Sequence, residues 1–285
     1  KLFEYARTPE DPFFLFVSLS HPHHPFLTQP EFWEMYEDDD IPGPATGRLD
    51  DDQLDPHSIR CREMIGLDKE DVSPEHARLA RRGYYGSISY FDAKLGQVLD
   101  ALEAAGLAED TAIFVTADHG EMLGDRGLWS KDCFFEWAMR VPLVVSMPGS
   151  TTPNRISQNT SLVDLLPTFA DIAGEELSLQ GADLAGHSLL GVMSGDVENW
   201  PDEVLAEYTA DATREPMIMI RKAALKYVAS EHDPEQLFDL RNDPHELTNL
   251  AGSDEYAQQI SDFRRRAAGL WDRAQLNREI RLSQK

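Results

Sequence analysis

Cysteine is nearly absent: Cys61 and Cys133 are the only two in 285 residues, and they lie far apart in the chain. That excludes a disulfide framework and makes a reducing cytoplasm the simplest expected location. Long apolar runs are missing too. No stretch approaches the about 18 residues that a membrane helix needs, so a spanning segment is not expected. No signal-peptide pattern stands at the front. Cations are scarce, with 26 Lys and Arg against 51 Asp and Glu and a formal net charge of −25. A field of that sign repels nucleic acid and anionic membranes, so neither is an expected partner. It also repels an anionic small molecule, which a local cationic centre must then draw in; a cationic substrate group meets no such conflict. Internal repeats and low-complexity tracts are lacking as well. The chain opens on Lys1 and enters an apolar run almost at once, so it is expected to begin within a longer protein.

Hydrophobic residues make up 41% of the chain, enough for a sizeable core. FFLFVSLS (13–20) reads as a strand buried on both faces. Residues 30–60 hold Pro, Gly and Asp clusters and read as a long irregular excursion. Residues 73–107 predict a long helix, capped by Ser73, entered through Pro74 and stopped at Gly106. Thr111–Thr116 follows as a second buried strand, so strand, helix and strand suggest a βαβ unit in a parallel sheet. RVPLVVSMPG (140–149) is a third strand, and 161–174 a helix ended by Gly174. Residues 204–240 hold short strands separated by turn signals, which predicts a small antiparallel sheet. The end of the chain reads as polar helix.

Ligands of open α/β sheets bind beyond the carboxyl ends of strands. Two strand ends here carry histidine: His21-Pro22-His23-His24-Pro25 and Asp118-His119-Gly120. Asp118 offers a carboxylate oxygen to a hard cation, and His119 offers an imidazole nitrogen to a metal or a hydrogen bond to an anion. Against this stands a plain turn in which Asp118 caps the following residues. Lys131 and Arg126 follow in the next loop, where a lysine neutralises a bound oxyanion or simply meets solvent. The prolines around His23 fix its direction, as a general acid requires, or make it a rigid turn element.

Several motifs in order carry a resemblance: PHHPF after the first strand, TADHGEMLGDRGLWSK, RVPLVV, LVDLLPTFADIAG and QLFDLRNDPHELTNLA. Together they resemble the sulfatases of the alkaline phosphatase superfamily. LDPHSIRCREM, ARRGYYGSISYFDAKLGQVL and the ending WDRAQLNREIRLSQK look closer to choline sulfatases. The resemblance implies an α/β fold with a mainly parallel sheet flanked by helices, a small C-terminal antiparallel sheet and a helical tail. It implies spans of 1–200 for the later catalytic domain, 201–250 for the small subdomain and 251–285 for the tail. Asp118 matches a ligand of a single divalent cation, Ca²⁺ before Mn²⁺ or Mg²⁺. His119 stands beside it, on the metal or on the sulfate ester. Lys131 matches the lysine on the sulfate and leaving-group oxygens, and His23 the histidine that assists the leaving group. Glu207 and Asp272 align with acids around a trimethylammonium group, or else are a strand-edge Glu and a helix-surface Asp. Asp272, with Trp271 in the tail, implies a homo-oligomer.

One departure matters. Sulfatases attack with a formylglycine made from the Cys or Ser of a C-x-P-x-R motif. Neither Cys61, followed by Arg-Glu-Met, nor Cys133, followed by Phe-Phe-Glu, fits it. The family's early Asp-Asp metal pair is missing, since Asp38–Asp40 and Asp50–Asp52 follow no apolar run. The expected activity is cleavage of a small-molecule sulfate ester, choline O-sulfate foremost, with the formylglycine upstream of this chain. Two alternatives stand: a phosphonate monoester or phosphodiester hydrolase of the same superfamily, and a non-catalytic remnant or assembly subunit.

Overall fold

A computed structural model describes residues 1–8, 11–69, 71–150, 153–175, 185–270 and 272–283. They gather into two compact units interleaved along the chain. The first is Lys1–Leu49, Gly66–Ser130 and Arg140–Pro153; the second is Asp50–Ile65, Lys131–Met139 and Asn154–Lys285. Contacts rather than chain order set these borders, so they cut across the 1–200, 201–250 and 251–285 division.

The first unit is organised by the helix Pro74–Ala104. Ser73 Oγ accepts the His76 N–H, and Gly106 follows the helix at φ +72°, as the stop signals predict. Gly83 and Gly86 let residues 26–32 lie directly on the helix. A Cβ on Gly83 would stand 2.1 Å from the Phe26 carbonyl oxygen, and one on Gly86 2.7 Å from the Thr28 methyl. Ser87 Oγ donates to the Leu27 carbonyl, and Arg82 stacks over Trp33. The unit's sheet pairs β1 (Ile113–Thr116) with β2 (Leu143–Ser146), with Phe114 opposite Val145.

Here the expected pairing needs correction. β1 and β2 run antiparallel, and among the described residues neither sheet contains a parallel pair. Residues 13–20 lie outside both sheets, with Phe14 and Phe16 67% and 79% exposed. A run apolar on both faces shows that a strand is suited to burial, but not which strand it pairs with. Residues 30–60 also hold more order than expected. Pro56–Met64 is a helix whose N-cap, Asp55, accepts the His57 and Ser58 N–H groups. Its Asp-Pro start is a helix signal that the surrounding acidic clusters obscure.

The second unit holds the antiparallel sheet predicted for 204–240. β3 (Glu203–Tyr208), β4 (Met217–Lys222), β5 (Leu225–Ala229) and β6 (Gln236–Asp239) lie side by side in chain order. Ile218, Ile220, Tyr227 and Leu237 pack against Ile260, Phe263 and Ala267 of the helix Ala257–Leu270. Met217, Met219 and Val228 pack against Phe134 on the other face. Burial on both faces explains why β4 opens as a continuous Met-Ile-Met-Ile run rather than an alternation. Each such side chain contributes about 1.5–3 kcal/mol. Leu165–Ala173 is helical and ends at Gly174, φ +71°. Arg273–Ser283 is a further helix; Trp271 lies outside the described residues. Among those described, no helix is long and apolar enough to cross a membrane. Cys61 and Cys133 are buried and free.

Candidate active site

β1 delivers Asp118 and His119 at its carboxyl end. Thr116 Oγ1 donates to the Pro142 carbonyl at 2.8 Å, closing the strand pair just before them. Asp118 is 88% exposed, and its Oδ1 accepts the His119 N–H at 3.1 Å. This bond ties the Asp118 carboxylate to the peptide of its immediate neighbour rather than to the turn beyond it. His119 Nδ1 lies 2.7 Å from the Gly120 carbonyl. A carbonyl only accepts, so Nδ1 carries a proton, and Nε2 is the other ring nitrogen. That Nε2 stands 3.7 Å from Asp118 Oδ2. His23 is brought to the same place, its ring centroid 6.0 Å from that of His119. His23 Nδ1 likewise donates to the His24 carbonyl at 2.8 Å.

Two anchors hold these loops. The His loop is tied through Phe26 and Leu27 to the long helix, and His21 packs on Tyr90 at 4.6 Å. The loop after His119 is held by Asp125, only 2% exposed, which accepts the Ala45 and Thr46 N–H groups. Arg81 adds a bond from its guanidinium to the Leu123 carbonyl. Arg126, read from sequence as a loop cation beside Lys131, is 5% exposed. Asp125 and Arg81 were not singled out in the sequence, where Gly124 and Gly127 were the only hint of so tight a loop.

Lys131, Glu207 and Asp272 belong to the second unit. Lys131 is half-buried, and its carbonyl accepts the Cys133 N–H at 2.8 Å. Glu207 is exposed on β3, opposite Ile218 of β4. Asp272 is exposed, and its carboxylate accepts the Gln275 N–H at 2.9 Å at the start of the last helix. Its visible work is that of a helix cap.

The sulfatase family model matches residues 1–175, and the model of the N-sulphoglucosamine sulphohydrolase C-terminal region matches 124–272. The chain belongs to the sulfatase family. A choline-sulfatase of Rhizobium meliloti is 40% identical along all of this sulfatase chain and 56% of its own length. An arylsulfatase of Clostridium perfringens is 31% identical over 91% of this chain and 53% of its own. The sulfatase chain thus spans about half the length of these relatives. A phosphonate monoester hydrolase of Agrobacterium radiobacter superimposes with a TM-score of 0.76 at 27% identity, over 96% of this chain and 60% of that one. The α/β class inferred from the sequence is that of these neighbours.

Sulfatase membership points in general to a divalent cation and a formylglycine. Asp118 Oδ2 and His119 Nε2 suit the cation in kind, an exposed carboxylate and an imidazole nitrogen. Their 3.7 Å separation is within the span of two ligands sharing one ion at bond lengths of about 2.0–2.6 Å. They are few, however. Among the described residues no group of three or more His, Cys, Asp or Glu is placed to hold a metal, whereas a hard cation takes about six ligands.

Proposed function

We propose that the protein hydrolyses sulfuric esters and that choline O-sulfate is its leading substrate. The observation that carries this is the 40% identity to a choline-sulfatase over the entire chain. Asp118 and His119 hold the divalent cation, Ca²⁺ before Mn²⁺ or Mg²⁺. When bound, the cation supplies positive charge to the sulfate oxygens, and a formylglycine outside these residues supplies the nucleophile. Lys131 donates to the sulfate and leaving-group oxygens, countering the −25 charge of the chain. His23 gives a proton to the departing alkoxide from its ring. Glu207 and Asp272 receive the trimethylammonium end, where the acidic field works in favour of binding. Its partners are the small-molecule ester and further copies of the chain, with neither nucleic acid nor membrane among them.

The test compares choline O-sulfate with an aryl sulfate. Asp118→Asn abolishes turnover of both and lowers bound metal. Glu207→Gln raises KM for choline O-sulfate about tenfold, the scale of one lost charge contact, and leaves the aryl ester unchanged. Equal shifts on both substrates end the choline reading. The structural similarity to phosphonate monoester hydrolases favours a second reading. A higher kcat/KM on a phosphonate monoester than on either sulfate would put it first.

A further inference from the structure

Asp132, directly after Lys131, is held from three sides by buried or half-buried groups of the second unit. His57 Nε2 lies 2.6 Å from the Asp132 carbonyl oxygen and must donate to it. The Cys61 thiol points at the same oxygen from 3.3 Å. Tyr208 Oη donates to the Asp132 carboxylate at 3.1 Å. None of these groups is loosely held. His57 is 3% exposed and stands at the start of a helix whose cap, Asp55, accepts its N–H. Cys61 lies one turn on, with its sulfur 3.5 Å from His57 Nε2. The rings of His57 and Tyr208 meet edge to face, with centroids 5.8 Å apart. Two residues further along, Lys226 binds the Phe134 carbonyl at 2.8 Å, and the Glu136 N–H is bound by Glu246. The segment that begins with Lys131 is therefore pinned at the peptide next to the lysine and again three to five residues later.

A lysine side chain has four rotatable bonds, and the place of its ammonium depends first on where its own backbone is fixed. So dense a set of bonds on Asp132 is more than a turn needs, because the Cys133 N–H already closes the turn on the Lys131 carbonyl.

We propose that His57 and Tyr208 are positioning residues for Lys131: by clamping Asp132 they set the lysine for an anionic sulfate group. This rests on the reading of Lys131 given above. Burial and the neighbouring Asp132 carboxylate push the Tyr208 hydroxyl pKa upward, so it stays a donor across the working pH range. Burial and the Asp132 and Asp55 carboxylates push the Cys61 thiol up to about 12, so it too stays protonated.

The test is calorimetric titration of the protein with inorganic sulfate, alongside thermal melting. Tyr208→Phe removes one hydroxyl from a half-buried ring. It is expected to weaken sulfate affinity about tenfold, the scale of a hydrogen bond to a charged group, with little change in Tm. His57→Gln keeps an N–H donor at the reach of Nε2 and retains affinity, whereas His57→Leu loses it. Lys131→Ala loses binding outright. Wild-type sulfate affinity in folded Tyr208→Phe and His57→Leu overturns the clamp while leaving Lys131 as the sulfate ligand. Absence of sulfate binding in the wild type, or full affinity in Lys131→Ala, overturns the role of Lys131 and the clamp with it.

Discussion

Lys226 has no exposed surface, yet it sits in the middle of a sheet. It is tolerated because its ammonium meets Glu136 at 2.7 Å, Glu246 at 2.8 Å and the Phe134 carbonyl at 2.8 Å. The two carboxylates respond differently. Burial opposes ionisation of Glu136, but Lys226 and Arg221 together outweigh it and hold its pKa below the usual value. Glu246 is more deeply buried, and burial outweighs the pull of Lys226 and of the Glu136 N–H, so its pKa rises. Lys226→Met would leave two acids buried without their shared cation, at a cost of about 3–5 kcal/mol. Urea denaturation should show that loss, and a variant as stable as wild type would mean that the cluster contributes nothing net. Nothing in LKYVAS marks this lysine as buried, since strand alternation places it on a face that in most sheets meets solvent. At the site the residue types were more telling. A strand ending in Asp-His-Gly singled out two candidate donors, while the 6.0 Å approach of His23 depended on how two distant loops fold.

At the scale of elements, the long helix shows how spacing and packing divide the information. Its start, its stop and its length were legible, because Ser-Pro and Gly act locally. What its glycines do was not. Gly83 faces the Phe26 backbone, whereas nothing lies within 4 Å of a Cβ on Gly96. Gly96→Ala should stabilise the protein by up to about 1 kcal/mol through helix propensity. Gly83→Ala gains the same propensity, but its methyl meets a carbonyl oxygen that cannot swing away. A net loss of about 1–3 kcal/mol is expected. Opposite shifts in Tm for the two variants would confirm the close approach, and matching gains would refute it. Apart from residues 13–20, the strands were legible as strands for the same local reason, and their partners were not. β1 pairs with β2, thirty residues away in the chain, because edge-to-edge pairing is decided by which backbones are free to meet.

For the whole molecule, the two compact units each draw on three separate chain segments, so no single cut in sequence separates them. The last helix, Arg273–Ser283, is mostly exposed, with Leu282 at 68%. That fits the proposal that the tail serves a second copy of the chain. Deleting residues 271–285 should lower the mass measured by light scattering, and an unchanged mass would count against assembly through the tail.

By itself the sequence determined the class of fold, the family and the residue types at the strand ends, because these rest on local periodicity, turn chemistry and ordered motifs. Only the tertiary structure decided that Arg126 is buried. It alone brought His23 to His119 and set His57 and Tyr208 on Asp132. The physical reason is the same in each case. A side chain's role depends on what the rest of the chain folds against it, and contacts between residues dozens of positions apart leave no local trace.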